Sequence, residues 1–408
     1  MKIAIVNWTD RLAGGAETYV GQVAPALIGL GHEVLLWHEG HTPSGRGPIA
    51  GLGDLTTVSA AQSGVDRSLQ DLRRWAPDVL FVQGLFDPET ERAIIAHAPA
   101  VFFGHNYYGT CITGSKTTTF PAIEPCNRRF GPACLLQFYP RRCGGLSPVT
   151  LVRDYKRQAA RAAILGQYRS VVTFSEHMRR EFINHGVAAH VVTTLPSIDA
   201  RPFGSSAEPS LPSRAVGKVR LAFIGRIEPL KGCRLLIETL GAVRAQLEVP
   251  VELNVAGDGP DMDRCRHAAI KASEACADVR VEFHGWLDAV ARHALLQRTD
   301  SLVVPSLWPE PFGLVGPEAL AMGVPVAAFA VGGIPEWLDD GRTGALAPGH
   351  PPTSAGLATA IVRTLTSDEI RATVRRLATQ RTAVNALDRH LERLMPVLSA
   401  AATGSCLQ

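Results

Sequence analysis

The chain lacks any apolar run of the roughly 18–20 residues that a bilayer-spanning helix requires. Its first apolar run, Ile3–Val6, is closed by the polar Asn7 and is too short for the core of a secretory signal. Cys406 is third from the end, so it forms no prenylation box. Also missing are a Walker A string, a strict G-x-G-x-x-G fingerprint and any short-period repeat of the solenoid type. Ala256-Gly-Asp-Gly-Pro260 begins like a dinucleotide turn, but a proline stands where the third glycine would be. The compartment these absences lead us to expect is the cytoplasm, with the eight cysteines mostly reduced.

A strong overall charge is absent too. Forty-one Lys and Arg face 38 Asp and Glu, a net +3. That near balance hides an asymmetry. Between Lys116 and Arg180 there are twelve basic residues and three acids, a local +9 that leaves −6 for the rest. Such a zone suits an anionic partner: a phosphorylated lipid, an anionic membrane surface or nucleic acid. It also suits a solvated helix face with snorkelling arginines. No stacking or groove motif accompanies it, so nucleic acid is not expected.

What is present is material for two cores. The 408 residues allow two domains of about 200 residues each. Composition is 46% hydrophobic with a mean hydropathy of +0.07, as in ordinary globular chains. Short apolar runs at Lys2–Val6, Glu33–Trp37, Val79–Val82, Ala100–Phe103 and Ser170–Phe174 are separated by helix-length spacers. A Pro-, Ser- and Gly-rich stretch over 201–216 reads as a linker. The alternation then restarts at Val219–Ile224, Glu252–Val255, Val281–Phe283, Leu302–Pro305 and Val326–Phe329. This pattern predicts parallel sheets covered on both faces. The expected architecture is α/β: a first domain over 1–200, a second over 217–366, a cleft between them, and a helical tail over 367–408.

The richest segment is Glu310-Pro-Phe-Gly-Leu-Val-Gly-Pro-Glu318. It follows a strand, and Gly316-Pro317 is read as opening a helix with proline at its first position. Bare backbone N–H groups beside a helix start suit an anion, and two carboxylates suit hydroxyl groups. Taken singly, Glu318 fits simple dipole complementarity and Glu310 a solvated loop acid. Earlier, Phe223-Ile-Gly-Arg-Ile-Glu-Pro-Leu-Lys-Gly232 ends a strand and opens a helix, carrying Arg226 and Lys231. Arginine offers a fork to phosphate oxygens and lysine a point charge.

From Glu310 through Gly341 the sequence resembles the donor-site signature of retaining glycosyltransferases of the GT4 type. The resemblance is specific over the second half and weaker over the first. It implies the GT-B fold of two Rossmann-like domains and a nucleoside-diphosphate sugar as donor. Glu310 and Glu318 match the family's E-x7-E pair. By resemblance Glu318 would hold ribose hydroxyls and Glu310 donor-sugar hydroxyls. The backbone of Phe312, Gly313 and Leu314 would meet the sugar and diphosphate. Arg226 and Lys231 stand where the family keeps its two diphosphate-binding cations. Loops around Gly259 and Trp286 match those that surround the nucleotide base. Gly14-Gly15 resembles the N-terminal glycine loop, where backbone approaches phosphate. His105, after the strand Ala100–Phe103, stands near a family position that touches the donor sugar.

The implied reaction is transfer with retention to a glycan or lipid-linked acceptor, with no cofactor required. The departing phosphate oxygen would take the acceptor proton. Two rivals are a nucleotide-sugar epimerase on the same fold and a non-catalytic sugar- or lipid-binding protein. The location implied is cytoplasmic, with peripheral contact at the inner membrane face as one option.

Cys111, Cys126, Cys134 and Cys143 lie in an insert over about 106–150, spaced C-x14-C-x7-C-x8-C. The close C-x2-C knuckle of strong zinc motifs is missing. A structural zinc, disulfides and plain thiols all remain open for these four. The insert is basic and follows His105, which makes it a candidate for acceptor recognition.

Overall fold

A computed structural model describes residues 1–40, 47–53, 55–198, 217–380 and 386–404. The stretch read as a linker, 201–216, lies outside the described residues. The chain forms two compact units. One comprises Met1–Lys116, Asn127–Ile198 and the chain from Ala386; the other comprises Thr117–Cys126 and Asp199–Asn385. No helix among the described residues is long and apolar enough to cross a membrane.

The amino-terminal unit is built on strands β1 (Lys2–Thr9), β2 (Glu33–Gly40), β3 (Thr56–Ser59), β4 (Val79–Val82) and β5 (Ala100–Phe103). After an excursion through the short strands β6 (Thr117–Thr118) and β7 (Glu124–Pro125), β8 (Ser170–Thr173) and β9 (Val192–Thr194) complete its sheet. The seven strands run in the order β3-β2-β1-β4-β5-β8-β9, and each pairing is parallel. The central strands β4, β5 and β8 are buried at every residue, as expected where helices cover both faces. A helix over Ala386–Thr403 packs on this unit. Its His390 Nε2 meets the Tyr19 hydroxyl at 2.8 Å, and its Nδ1 meets the Pro196 carbonyl oxygen at 2.7 Å.

The carboxyl-terminal unit carries β10 (Val219–Ile224), β11 (Val251–Ala256), β12 (Val279–Gly285), β13 (Ser301–Val304), β14 (Val326–Phe329) and β15 (Gly344–Ala347). They lie in the order β12-β11-β10-β13-β14-β15, again all parallel. Aliphatic side chains of these strands and of the helices Cys233–Leu247 and Ser354–Thr366 form its core. Two such sheets, one per unit, are the Rossmann-like pair that the apolar runs predict.

The excursion has a defined base. β6 and β7 pair antiparallel as a hairpin, and Ile123 at its turn packs against the core of the carboxyl-terminal unit. At the base, buried Lys116 reaches Glu181 at 2.6 Å and donates to the Arg128 carbonyl at 2.6 Å. One ammonium therefore ties both ends of the excursion to the amino-terminal unit.

Candidate active site

In a parallel sheet all strands end on the same edge, and ligands bind along that edge. In the carboxyl-terminal unit the neighbouring strands β12, β11, β10 and β13 deliver their following loops there. Those loops carry Trp286, Gly257–Gly259, Arg226–Lys231 and Ser306–Leu314. They are stitched together by backbone. The Ile227 amide donates to Asp258 O at 2.9 Å, and the Gly257 amide donates to Gly285 O at 2.7 Å. The Leu307 amide donates to Leu230 O at 2.8 Å.

Lys231 and Glu310, 79 residues apart, meet at this edge. The Lys231 ammonium donates to Glu310 Oε1 at 2.7 Å and lies 4.7 Å from the centre of the Trp308 ring. Ser306 Oγ donates to the same carboxylate oxygen at 2.5 Å. Glu310 is 5% exposed, so the ion pair is shielded and keeps much of its strength. Gly232 makes the meeting possible. It holds φ +73°, and a Cβ there would stand 1.9 Å from the Pro305 carbonyl oxygen. Only glycine lets the turn Pro229–Lys231 lie flat on the chain leading to Glu310.

Glu318 is likewise buried and accepts from Arg292 Nε at 2.7 Å. Arg226 is exposed and pairs with Glu228. Phe312, Gly313 and Leu314 form the loop between the two acids. That loop is braced by Trp337, whose Nε1 donates to Phe312 O at 2.6 Å. The Trp337 ring fills the space beside Gly316, where a Cβ would come within 2.0 Å of it. The helix after the loop spans Val315–Ala321, so it opens two residues before Pro317. The Gly316 amide already closes a turn on Gly313 O at 3.1 Å, which leaves Pro317 inside the first turn rather than at its start.

In the amino-terminal unit, Gly15 begins the helix Gly15–Gly29 after β1. Glu17 in its first turn is buried and accepts from Trp8 Nε1 at 2.8 Å; burial raises its pKa. His105 follows β5. Its ring stacks on Phe103 with centroids 4.2 Å apart, and Nε2 sits 2.7 Å from the Gln83 amide oxygen. Burial pushes this imidazole down to about 3. It is neutral at physiological pH and, facing an amide oxygen, carries its proton on Nε2.

The four clustered cysteines are not gathered into a set of metal ligands among the described residues. Among the described residues, no group of three or more His, Cys, Asp or Glu is placed to hold a metal. No disulfide forms among the described cysteines either. Cys134 and Cys143 instead pack against a small core of Ile112, Phe138 and Leu151. Cys111 Sγ lies 3.6 Å from Thr113 Oγ1, and Cys126 belongs to the other unit. In that core the Cys134 and Cys143 thiols act as small, largely apolar groups.

Sequence reasoning gave no role to Ser306, Arg292 or Trp337. Ser306 lies one helical turn's spacing before Glu310, a weak signal. Arg292 and Trp337 come from elements 26 and 25 residues away, and nothing local marks them.

Two Rossmann-like parallel units, one with acids and cations gathered at its strand ends, define the GT-B class of fold. Residues 218–367, within the carboxyl-terminal unit, match the family model Glycosyl transferases group 1. The chain is 32% identical over 169 residues to a D-inositol 3-phosphate glycosyltransferase of Arthrobacter sp. (strain FB24), covering 40% of this chain and 39% of the relative. It is 35% identical over 150 residues to a glycogen synthase of Mycobacterium tuberculosis (strain CDC 1551 / Oshkosh), covering 36% and 33%. The chain thus spans about two fifths or less of the length of these curated relatives. The crystal structure of Anabaena Alr3699/HepE in complex with UDP and glucose superposes with a TM-score of 0.67 at 18% identity. That likeness covers 98% of this chain and 100% of the Anabaena one, and it extends the fold assignment to both units.

Proposed function

We propose that this chain transfers a sugar from a nucleoside-diphosphate sugar to a glycan or lipid-linked acceptor with retention at the anomeric carbon. The observation that carries the reading is the shielded Lys231–Glu310 pair, with Arg226 on a loop and Glu318 in the first turn of the helix Val315–Ala321 at the same sheet edge. A diphosphate gains negative charge as its bond to the sugar breaks, and fixed cations stabilise that charge where it develops. Lys231 and Arg226 are assigned this role. Glu318, oriented by Arg292, is assigned to the ribose hydroxyls. Glu310, oriented by Lys231 and Ser306, is assigned to the sugar hydroxyls. The Phe312–Leu314 backbone donates to sugar and phosphate, and Gly259 and Trp286 border the base. Gly15 takes the phosphate-loop role, and neutral His105, its Nε2 proton held by Gln83, offers Nδ1 as an acceptor to a donor-sugar hydroxyl. The leaving phosphate oxygen accepts the acceptor's proton, so the chemistry requires neither a protein base nor a cofactor.

The relatives named above carry different acceptors in their names, so the acceptor is left as a class. Thermal unfolding in the presence of UDP-, GDP- and ADP-sugars tests the reading. UDP-sugars come first because HepE was crystallised with UDP-glucose. A true donor raises the unfolding midpoint by mass action. No shift with any activated sugar sinks the proposal. Incubating the shifting donor with and without acceptors separates the rivals: a free sugar isomer formed without acceptor makes the protein an epimerase.

A further inference from the structure

Five of the strongly exposed large apolar side chains among the described residues fall between positions 136 and 152. They are Leu136 (76% exposed), Tyr139 (40%), Leu146 (84%), Val149 (77%) and Val152 (49%). Chance scatter of single apolar residues needs no explanation, but a contiguous group does. The group shares one surface. On the helix Pro148–Leu165, positions 149, 152, 153 and 156 follow helical spacing and are all exposed. The opposite face is committed inward: Leu151 enters the core with Ile112 and Phe138, and Gln158 accepts from the Gly109 amide at 2.8 Å. The Tyr139 hydroxyl donates to Leu146 O at 3.3 Å and joins the preceding helix to this surface. Between them, residues 144–150 are exposed without a break, so Leu146 and Val149 stand on a protrusion and not in a groove.

Charge follows the same surface. From 127 to 161 the chain has eight Lys and Arg and one acid, Asp154. That acid is engaged by Arg153 at 3.1 Å and Arg157 at 3.9 Å. Arg142, Arg153 and Lys156 are exposed beside the apolar tips. A second copy of this chain would bring like charge against like charge. A flat anionic interface with a hydrocarbon layer beneath it accepts both features: tips enter the acyl boundary and cations meet headgroups.

We propose that this face of the amino-terminal unit docks the protein peripherally on an anionic lipid surface, with Leu146 and Val149 inserting and Arg153 and Lys156 on the headgroups. The inference does not depend on the donor site, and its test measures binding alone. The full chain is sedimented with vesicles of phosphatidylcholine and with vesicles that also contain phosphatidylglycerol. The expected result is partition onto the anionic vesicles, weakening as salt rises. Leu146→Ser with Val149→Ser should lower the partition about tenfold, and Arg153→Gln with Lys156→Gln about twentyfold. Unfolding midpoints should stay put, because all four side chains are exposed. Equal recovery with neutral and anionic vesicles overturns the proposal, as does parental binding by both double variants. Light scattering closes the remaining route: a parental dimer that Leu146→Ser with Val149→Ser turns into a monomer assigns the face to a second copy instead.

Discussion

At the scale of single residues the two cations of the candidate site differ in what they cost the fold. The Arg226 side chain is 63% exposed and leans on Glu228. Arg226→Met is expected to leave stability within about 0.5 kcal/mol and to slow transfer about a hundredfold. Lys231 is the partner of a buried carboxylate, so Lys231→Met strands Glu310 with Ser306 alone. We expect transfer to fall by at least as much and stability by about 2 kcal/mol. Steady-state kinetics beside urea unfolding of both variants checks the contrast; equal stability losses would refute it. Legibility followed the same divide. Local chemistry marked the acids and cations as candidates and resemblance suggested their roles, but no local rule pairs residues 79 positions apart. Arg292, which fixes Glu318, has no sequence mark at all: it is one arginine on an ordinary helix face.

At the scale of elements, the apolar runs were legible where burial is complete. Val79–Val82 and Ala100–Phe103 are strands to the residue. In the two large sheets the strands that escaped were Thr56–Ser59, Val192–Thr194 and Gly344–Ala347, and each lies at the edge of its sheet. Thr and Ser in the first two, and Gly and Ala in the third, keep these strands from forming an apolar run, although Thr and Val have high β propensity. The donor-loop brace belongs to this scale too. Trp337→Phe removes the 2.6 Å donation to Phe312 O together with the outer edge of the indole (Cζ2, Cη2, Cζ3) that fills the space beside Gly316. The Phe312–Leu314 loop is then less ordered, and we expect KM for the donor to rise about fivefold with kcat changing less. A kcat loss with unchanged KM would refute this assignment.

At the scale of the whole molecule, buried histidines set the response to acid. His105 is held down to about 3 and His390 to about 4, both by burial. Both are below the free imidazole value of about 6.5, so the unfolded chain binds protons more tightly than the folded one. Above about pH 6.5 neither group affects stability. Below it, stability falls by about 1.4 kcal/mol per pH unit for each group until its folded pKa is reached. His390→Leu should flatten part of that slope while lowering stability at neutral pH by about 2 kcal/mol, since Tyr19 and Pro196 lose a shared partner. Urea midpoints across pH 4–8, a range chosen to bracket about 6.5, read both effects.

The helix carrying His390 has one more implication. Sheet and core of the carboxyl-terminal unit are drawn from chain that ends before Ala386, whereas the body begun at Met1 is completed by that last helix. On the ribosome, therefore, the half translated second can close first. The half translated first must wait, with the Tyr19 hydroxyl and Pro196 carbonyl still wet, until its final eighteen-residue piece clears the exit tunnel.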